Sequence, residues 1–266
     1  MDEAGSLPKG IDPGTPNDTR MYDYALGGKD NFAADRAAAQ KLQEAIPVAR
    51  LSAGENRRFM RRAVRHLLKQ GVRQFLDLGC GLPGRGNVHQ IAGTADPEAT
   101  VVYVDYDPVA VSHYRALLSG SATTAAVQAD VRRPGDILTH PDVTRLIDFD
   151  RPVGLLMISL LQLIPDDADP AGIVAGFQDA MAPGSHLALS HYTGDAQSPE
   201  TLATFASAVE QMREQVTLRT KAEITELFAG FDLLEPGVVP APDWRPDRPY
   251  ETPSGWLLAG VGRTGR

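Results

Sequence analysis

The sequence predicts an α/β fold built on a doubly wound, mostly parallel sheet, and three observations carry that expectation. Short apolar runs alternate with helix-forming stretches from residue 71 onward. Two of those stretches open on Asp-Pro pairs, Asp107-Pro108 and Asp169-Pro170, an N-cap followed by a residue whose fixed φ suits the first turn. A glycine cluster, Gly79, Gly81 and Gly84, directly follows the first apolar run, where such folds place their ligand crevice.

Taken in order, residues 1–19 are rich in Gly, Pro, Asp and Thr without periodicity and read as a flexible tail. Structure is expected from Arg20. The segment YDYALGGKDN, 22–31, combines aromatics, a Gly27-Gly28 break and a charged turn, and leads into an alanine-rich helix, Ala33–Ala45. A second helix over 54–70 carries Met60, Val64, Leu67 and Leu68 at helical spacing. Its arginines, Arg57, Arg58, Arg61, Arg62 and Arg65, read as a solvated face. Strands follow at 75–78, 101–105, 125–128, 153–158 and 187–191, near-continuously apolar, as befits strands covered on both faces. Helices are expected at 87–92, 107–120 and 169–181, then a long one over 198–216 and a short one opened by a capping box, Thr220 to Glu223. Segments 232–239 and 255–261, joined by a Pro-rich loop with Trp244, suit an antiparallel edge pair. Trp244 itself reads as a cap over the crevice or as part of an exposed loop.

Composition excludes several classes. Among 266 residues, 42% are hydrophobic and 23% charged, which removes disordered and fibrous proteins. Lys plus Arg (26) against Asp plus Glu (34) leaves −8, a balance that disfavours holding nucleic acid or anionic lipid by global charge. The single cysteine, Cys80, leaves no disulfide framework, and six scattered histidines lack metal-ligand spacing. The best apolar stretch, 153–164, is too short to span a bilayer, and the first twenty residues do not resemble a secretory signal. A cytoplasmic protein without a metal is expected.

The chemistry concentrates in FLDLGCGLPGRGN, 75–87. The pattern G-x-G-x-x-G by itself also fits dinucleotide-binding loops. Asp77, two positions before the first glycine, argues otherwise, because a carboxylate there repels a pyrophosphate and attracts an ammonium or a sulfonium. S-adenosylmethionine carries both cations and no phosphate. Asp105, which ends VVYVD ahead of Tyr106, lies 21 residues beyond Gly84, near the spacing at which an acid accepts hydrogen bonds from a ribose diol. Asp130 and the Val131 amide, after the third strand, suit an adenine edge. Ser159, after the fourth, would lie beneath the reacting end. The candidate base is His191, with Tyr192, at the end of the fifth strand.

The blocks YDYALGGKDNF, FLDLGCGLPGRGNVHQ, VVYVDYDPVAV, LIPDDADPAGIV and EPGVVP resemble those of an actinobacterial S-adenosylmethionine-dependent methyltransferase family, over about residues 18–262. The resemblance implies the Rossmann-like class I methyltransferase fold, with seven strands and an antiparallel last one, over 71–266. It implies that residues 20–70 form a helical lid, with Tyr22 over the cofactor, and that Asp77, Gly79, Gly81, Asp105 and Asp130 contact S-adenosylmethionine. Two positions depart from the family pattern: Cys80 replaces a Thr, and Gln162 stands where a His is frequent, so a base at that position is lost. The expected activity is methyl transfer to a small-molecule acceptor. The competing reading is a non-catalytic S-adenosylmethionine-binding protein.

Overall fold

A computed structural model describes residues 12–210, 215–247 and 252–265. Three helices come first, α1 (Asp18–Ala25), α2 (Ala33–Ala45) and α3 (Ala49–Lys69). Then strands and helices alternate: β1 (Gln74–Leu78), α4 (Val88–Ala95), β2 (Thr100–Asp105), α5 (Pro108–Leu117), β3 (Thr124–Gln128), α6 (Pro134–Leu138), α7 (Pro141–Leu146), β4 (Gly154–Ile158), α8 (Pro170–Gln178) and β5 (His186–Tyr192). The chain continues with α9 (Pro199–Val209), α10 (Lys221–Glu226), β6 (Phe231–Leu233), β7 (Val239–Pro240) and β8 (Leu257–Thr264).

The sheet runs β3-β2-β1-β4-β5-β8-β6, with β7 pairing β8 beside that path. Pairs among β1 to β5 are parallel, and β8 is antiparallel to β5, β6 and β7. This is the doubly wound fold expected, with eight strands rather than seven. The expected strand at 232–239 is two strands, β6 and the two-residue β7, because the chain turns between them at Gly237, whose φ is +84°. The final pair is not an edge pair either, since β8 inserts between β5 and β6.

Side-chain alternation divides the strands between two apolar layers. Leu76, Leu78, Val102, Val104, Leu155 and Met157 pack on one face with Ile137, Val143, Ile173 and Phe177. Phe75, Val101, Tyr103, Leu156 and Ala188 pack on the other, where α3 buries Phe59, Met60, Ala63, Val64 and Leu67. Helix α3 is therefore a layer of the core, and α1 and α2 are the elements of the 20–70 segment that stand beyond it. Trp244 belongs to this second layer. It is fully buried, edge-on to Phe59 with ring centroids 5.5 Å apart, so it neither caps the crevice nor lies exposed. The two short helices α6 and α7 escaped sequence reading because five or six residues give no usable period.

Structure begins before Arg20. Asn17 is buried, caps α1 by accepting from the Arg20 amide, and donates to Asp107 across 3.4 Å. Residues 1–11 of the expected tail lie outside the described residues. The expected helix over 198–216 ends at Val209, with 211–214 outside the described residues.

Candidate functional site

The strand order reverses on either side of β1, and a cleft opens there at the carboxyl ends of β1, β2 and β4. It encloses about 630 Å³ and is covered by α1, α2, α3 and α9.

Its sheet wall is the glycine turn and two carboxylates. Gly79 and Gly81 have φ of +65° and +62°, conformations that cost little only in glycine. A Cβ on Gly79 would collide with Leu160, whereas at Gly81 it would meet only Thr19 at 3.5 Å, so the first glycine serves packing and the second keeps the cleft open. Asp105 accepts from the Gly81 amide at 2.8 Å and the Asp107 amide at 2.9 Å, which ties the glycine turn to the end of β2. Burial raises its pKa to about 6 despite those bonds. Burial likewise raises Asp77 to about 7; the charge of Arg57 opposes the shift and that of Asp105 adds to it. Cys80 lies between them, its thiol pushed well up by burial and both carboxylates, so it is not a nucleophile at neutral pH. Tyr106, Ser159 and Gln162 complete this side.

The helical wall is the part that sequence reading misjudged. Arg57, Arg58 and Arg61 line the cleft rather than facing bulk solvent. Arg57 donates to Asn87 at 3.2 Å and Arg61 donates to the Arg85 carbonyl, which docks the loop after the glycine turn onto α3. The guanidinium groups lie close to this loop: a Cβ at Gly84 would meet that of Arg57 at 3.0 Å and one at Gly86 would press on that of Arg61, and Gly86 also has φ of +71°. Arg62 is buried and donates to the carbonyls of Trp244 and Ala241. No local signal separates these arginines from Arg65, which is exposed beside Asp247. Only their positions on a helix lying along the cleft do.

Tyr22 hangs over this wall. Its hydroxyl donates to the Ala53 carbonyl at 3.1 Å and accepts from Asn56 at 3.1 Å. The Asn56 carbonyl accepts from Ser190 at 2.6 Å, and Ser190 accepts from the Ser159 amide at 3.0 Å. A hydrogen-bonded chain thus runs from α1 through α3 and β5 to the end of β4. Burial raises the Tyr22 pKa to about 12, so the phenol stays protonated. Behind it Arg20 meets the fully buried Asp35 at 2.7 Å, and Asp35 also accepts from the Asn17 and Phe32 amides. In the turn after α1, Asp23 accepts from the Asp30 amide and the Asn31 side chain, and its carboxylate occupies the space a Cβ on Gly28 would need.

Three expected site residues lie elsewhere. His191 is fully buried and does not line the cleft. Its Nδ1 meets the Tyr192 carbonyl at 2.7 Å, which requires that nitrogen to donate, and its Nε2 accepts from Arg219 at 2.7 Å. With both nitrogens occupied and burial lowering its pKa to about 4, it holds Arg219 in place rather than acting as a base. Arg219 in turn donates to the Leu161 and Ile164 carbonyls and to Asp166, clasping the 3-10 turn Leu161–Leu163. Asp130 is also outside the cleft lining, bound through both oxygens by Arg132 and held below the usual carboxylate range by it. Val131, expected to present its amide, is likewise not among the cleft-lining residues, and its side chain is buried in the first apolar layer. Tyr192 does line the cleft, 3.4 Å from Ser52, with burial raising its pKa.

Among the described residues no group of His, Cys, Asp and Glu is placed to hold a metal, and no helix is long and apolar enough to cross a membrane.

A sequence profile described as S-adenosyl methyltransferase matches residues 4–265. A crystal structure from Thermobifida fusca, described as a candidate methyltransferase, is 42% identical with TM-score 0.92, covering 99% of this chain and 100% of that one. A DUF574 family protein from Streptomyces avermitilis is 35% identical with TM-score 0.89, covering 94% of this chain and 98% of that one. No curated protein matches.

Proposed function

The chain belongs to the S-adenosyl methyltransferase family and is an S-adenosylmethionine-dependent methyltransferase; from that premise we propose that the cleft over β1 and β2 holds the cofactor and that the acceptor is a small molecule enclosed by α1, α2 and α9. The observation that carries the reading is the pair Asp77 and Asp105, two carboxylates in the floor of the cleft whose pKa values burial raises to about 7 and about 6, so that each gains from a ligand that brings it an ammonium or hydroxyl hydrogens.

The residues fit the cofactor's chemistry. Asp105 takes the ribose hydroxyls, with Tyr106 beside the adenosine. Asp77 attracts the ammonium, and Arg57, close enough to pull the Asp77 pKa back down, takes the carboxylate of the same amino-acid moiety. When bound, S-adenosylmethionine would supply an electrophilic methyl group to an oxygen, nitrogen or carbon of the acceptor. The chain's own contribution is positioning and exclusion of water. Tyr22, fixed by Ala53 and Asn56, closes the helical side. Tyr192 stays protonated, so it orients an acceptor by hydrogen bonding rather than by removing its proton. Helices α1 and α2 act as the lid in this reading.

Calorimetric titration with S-adenosylhomocysteine tests the assignment. Asp105→Ala removes a charged acceptor, worth about 1.5–3 kcal/mol, so affinity is expected to fall by roughly ten- to a hundredfold. Unchanged affinity in a folded variant would place the cofactor elsewhere.

A further inference from the structure

The pair of helices over the cleft, α1 and α2, is fastened differently on its two sides. Toward α3 the attachment is close: Tyr22 bonds Ala53 and Asn56, the Arg50 Nε donates to the Ala25 carbonyl at 3.2 Å, and Ile46, where α2 turns toward α3, is buried against Phe205 and Trp256. Toward the sheet, the first turn of α1 lies directly over the glycine turn, where a Cβ on Gly81 would meet Thr19 at 3.5 Å. No ligand passes a gap of that width unless the helix moves. The polar contacts across this seam are long for their kind. Asn17 Nδ2 donates to Asp107 across 3.4 Å, and Asp30, in the turn after α1, stands with Oδ2 3.9 Å from Nδ1 of His113 on α5.

Within itself the helix pair is stiff. The fully buried Asp35 of α2 accepts from Arg20 Nε at 2.7 Å and from the Asn17 and Phe32 amides at 2.9 and 2.7 Å, and Arg20 donates to the Thr15 carbonyl at 2.8 Å. Short buried bonds inside and long ones at the seam make the seam the place that opens first.

Asn17 belongs to both sets. Its Oδ1 accepts from the Arg20 amide at 3.2 Å, which fixes the orientation of the side-chain amide and turns Nδ2 toward Asp107. Asp107 uses its other oxygen to cap α5 at the Val109 amide, and its own amide donates to Asp105 at 2.9 Å. The edge of the helix pair is thus tied to the carboxylate assigned to the ribose, through two residues that do not themselves line the cleft.

We propose that Asn17 and Asp107, with Asp30 and His113 as a second contact, form a latch, and that α1 and α2 swing as one body about the corner at 46–48 to admit and release S-adenosylmethionine between Thr19 and Gly81. The proposal rests on the cofactor reading of this cleft. Because the latch joins lid to sheet without touching the ligand, it holds the cleft shut equally when filled and when empty. It therefore sets the rate of passage and leaves affinity nearly alone.

The test measures association and dissociation rate constants of radiolabelled S-adenosylhomocysteine on the full chain by rapid filtration. Asn17→Asp keeps an oxygen to cap α1 but removes the donor and sets a carboxylate against Asp107. Both rate constants are expected to rise about tenfold, the value of a hydrogen bond to a charged group, while their ratio stays within about twofold of the wild type. Faster release with no faster association, so that affinity falls, would make Asn17 a structural contact and overturn the latch, as would unchanged rates. His113→Ala opens the second contact at a half-exposed position and is expected to raise both rates about twofold. It decides the matter if Asn17→Asp fails to fold, since unchanged rates there also overturn the proposal. A wild type that does not bind S-adenosylhomocysteine at all removes the cofactor reading instead, and the latch with it.

Discussion

The two walls of the cleft are built in different ways. The sheet wall takes its shape chiefly from backbone: strand ends in register, Gly79 and Gly81 at positive φ, and Asp105, at the end of the adjacent strand β2, bonding the Gly81 amide and the Asp107 amide beside it. The helical wall takes its shape from side chains that meet across long sequence separations. Tyr22 reaches Ala53 and Asn56, Asn56 reaches Ser190, and Arg62 reaches Trp244. A wall made by backbone geometry tolerates many side chains but few changes at glycine. One made by buried polar pairs fails when either member of a pair is lost.

The largest expected effect separates the walls directly. Arg20→Met leaves Asp35 fully buried without its cation, a change that typically costs about 3–5 kcal/mol. Hydrogen exchange should then rise in α1 and α2 while β1, β4 and β5 keep their protection. Equal loss across the sheet would mean that the two walls unfold as one unit.

The sheet wall is expected to respond to pH instead. Asp77 and Asp105 titrate near 7 and 6 when folded, against an ordinary carboxylate value near 4 when unfolded. The folded chain therefore binds more protons in that interval, and the stabilising effect of these groups, full below pH 4, is lost as pH rises through 6 to 7. A cationic ligand selects the ionised form, so S-adenosylmethionine affinity should rise over the same range, by up to about tenfold per pH unit for each proton released. Titration in buffers of differing ionisation heat reads the proton count. Asp77→Asn should remove the upper part of the rise, and an unaltered profile would dissociate Asp77 from the cofactor.

A smaller effect is expected for Tyr22→Phe, which deletes the hydroxyl link between α1 and α3 but keeps the ring. The cost is about 1 kcal/mol in thermal or urea unfolding. A change several times larger would show that the chain from Tyr22 to Ser159 acts cooperatively.

The smallest is expected for Asp130→Asn. Because its carboxylate is held by the half-exposed Arg132 outside the cleft lining, S-adenosylhomocysteine affinity should change by no more than about twofold. A tenfold loss would extend the cofactor site along β3 and make the sheet wall larger than the geometry shows.

The same division governs what could be read from sequence. Asp77, Gly79 and Gly81 were legible because strand and turn signals are local, and Asp105 because consecutive parallel strands of a β-α-β unit end side by side, so the end of β2 falls beside the glycine turn after β1. The Asp-Pro helix starts and the capping box at Thr220 were legible for the same reason. His191 misled because the end of a parallel strand is the right place for a base, while the partner that occupies it, Arg219, comes from a loop 28 residues on. The arginines of α3 misled because an amphipathic pattern tells which face is apolar but not what lies opposite the polar one.

The amino-acid sequence by itself determined the doubly wound sheet, the glycine turn and the two carboxylates beneath it, since these follow from hydrophobic period, φ preferences and caps. Only the tertiary structure decided that β8 inserts between β5 and β6, that Arg57 and Arg61 face the cleft, and that His191 is sealed against Arg219. Each of these depends on contacts between residues far apart in the chain. Their free energy comes from burial and pairing that no local segment can express before the sheet has formed.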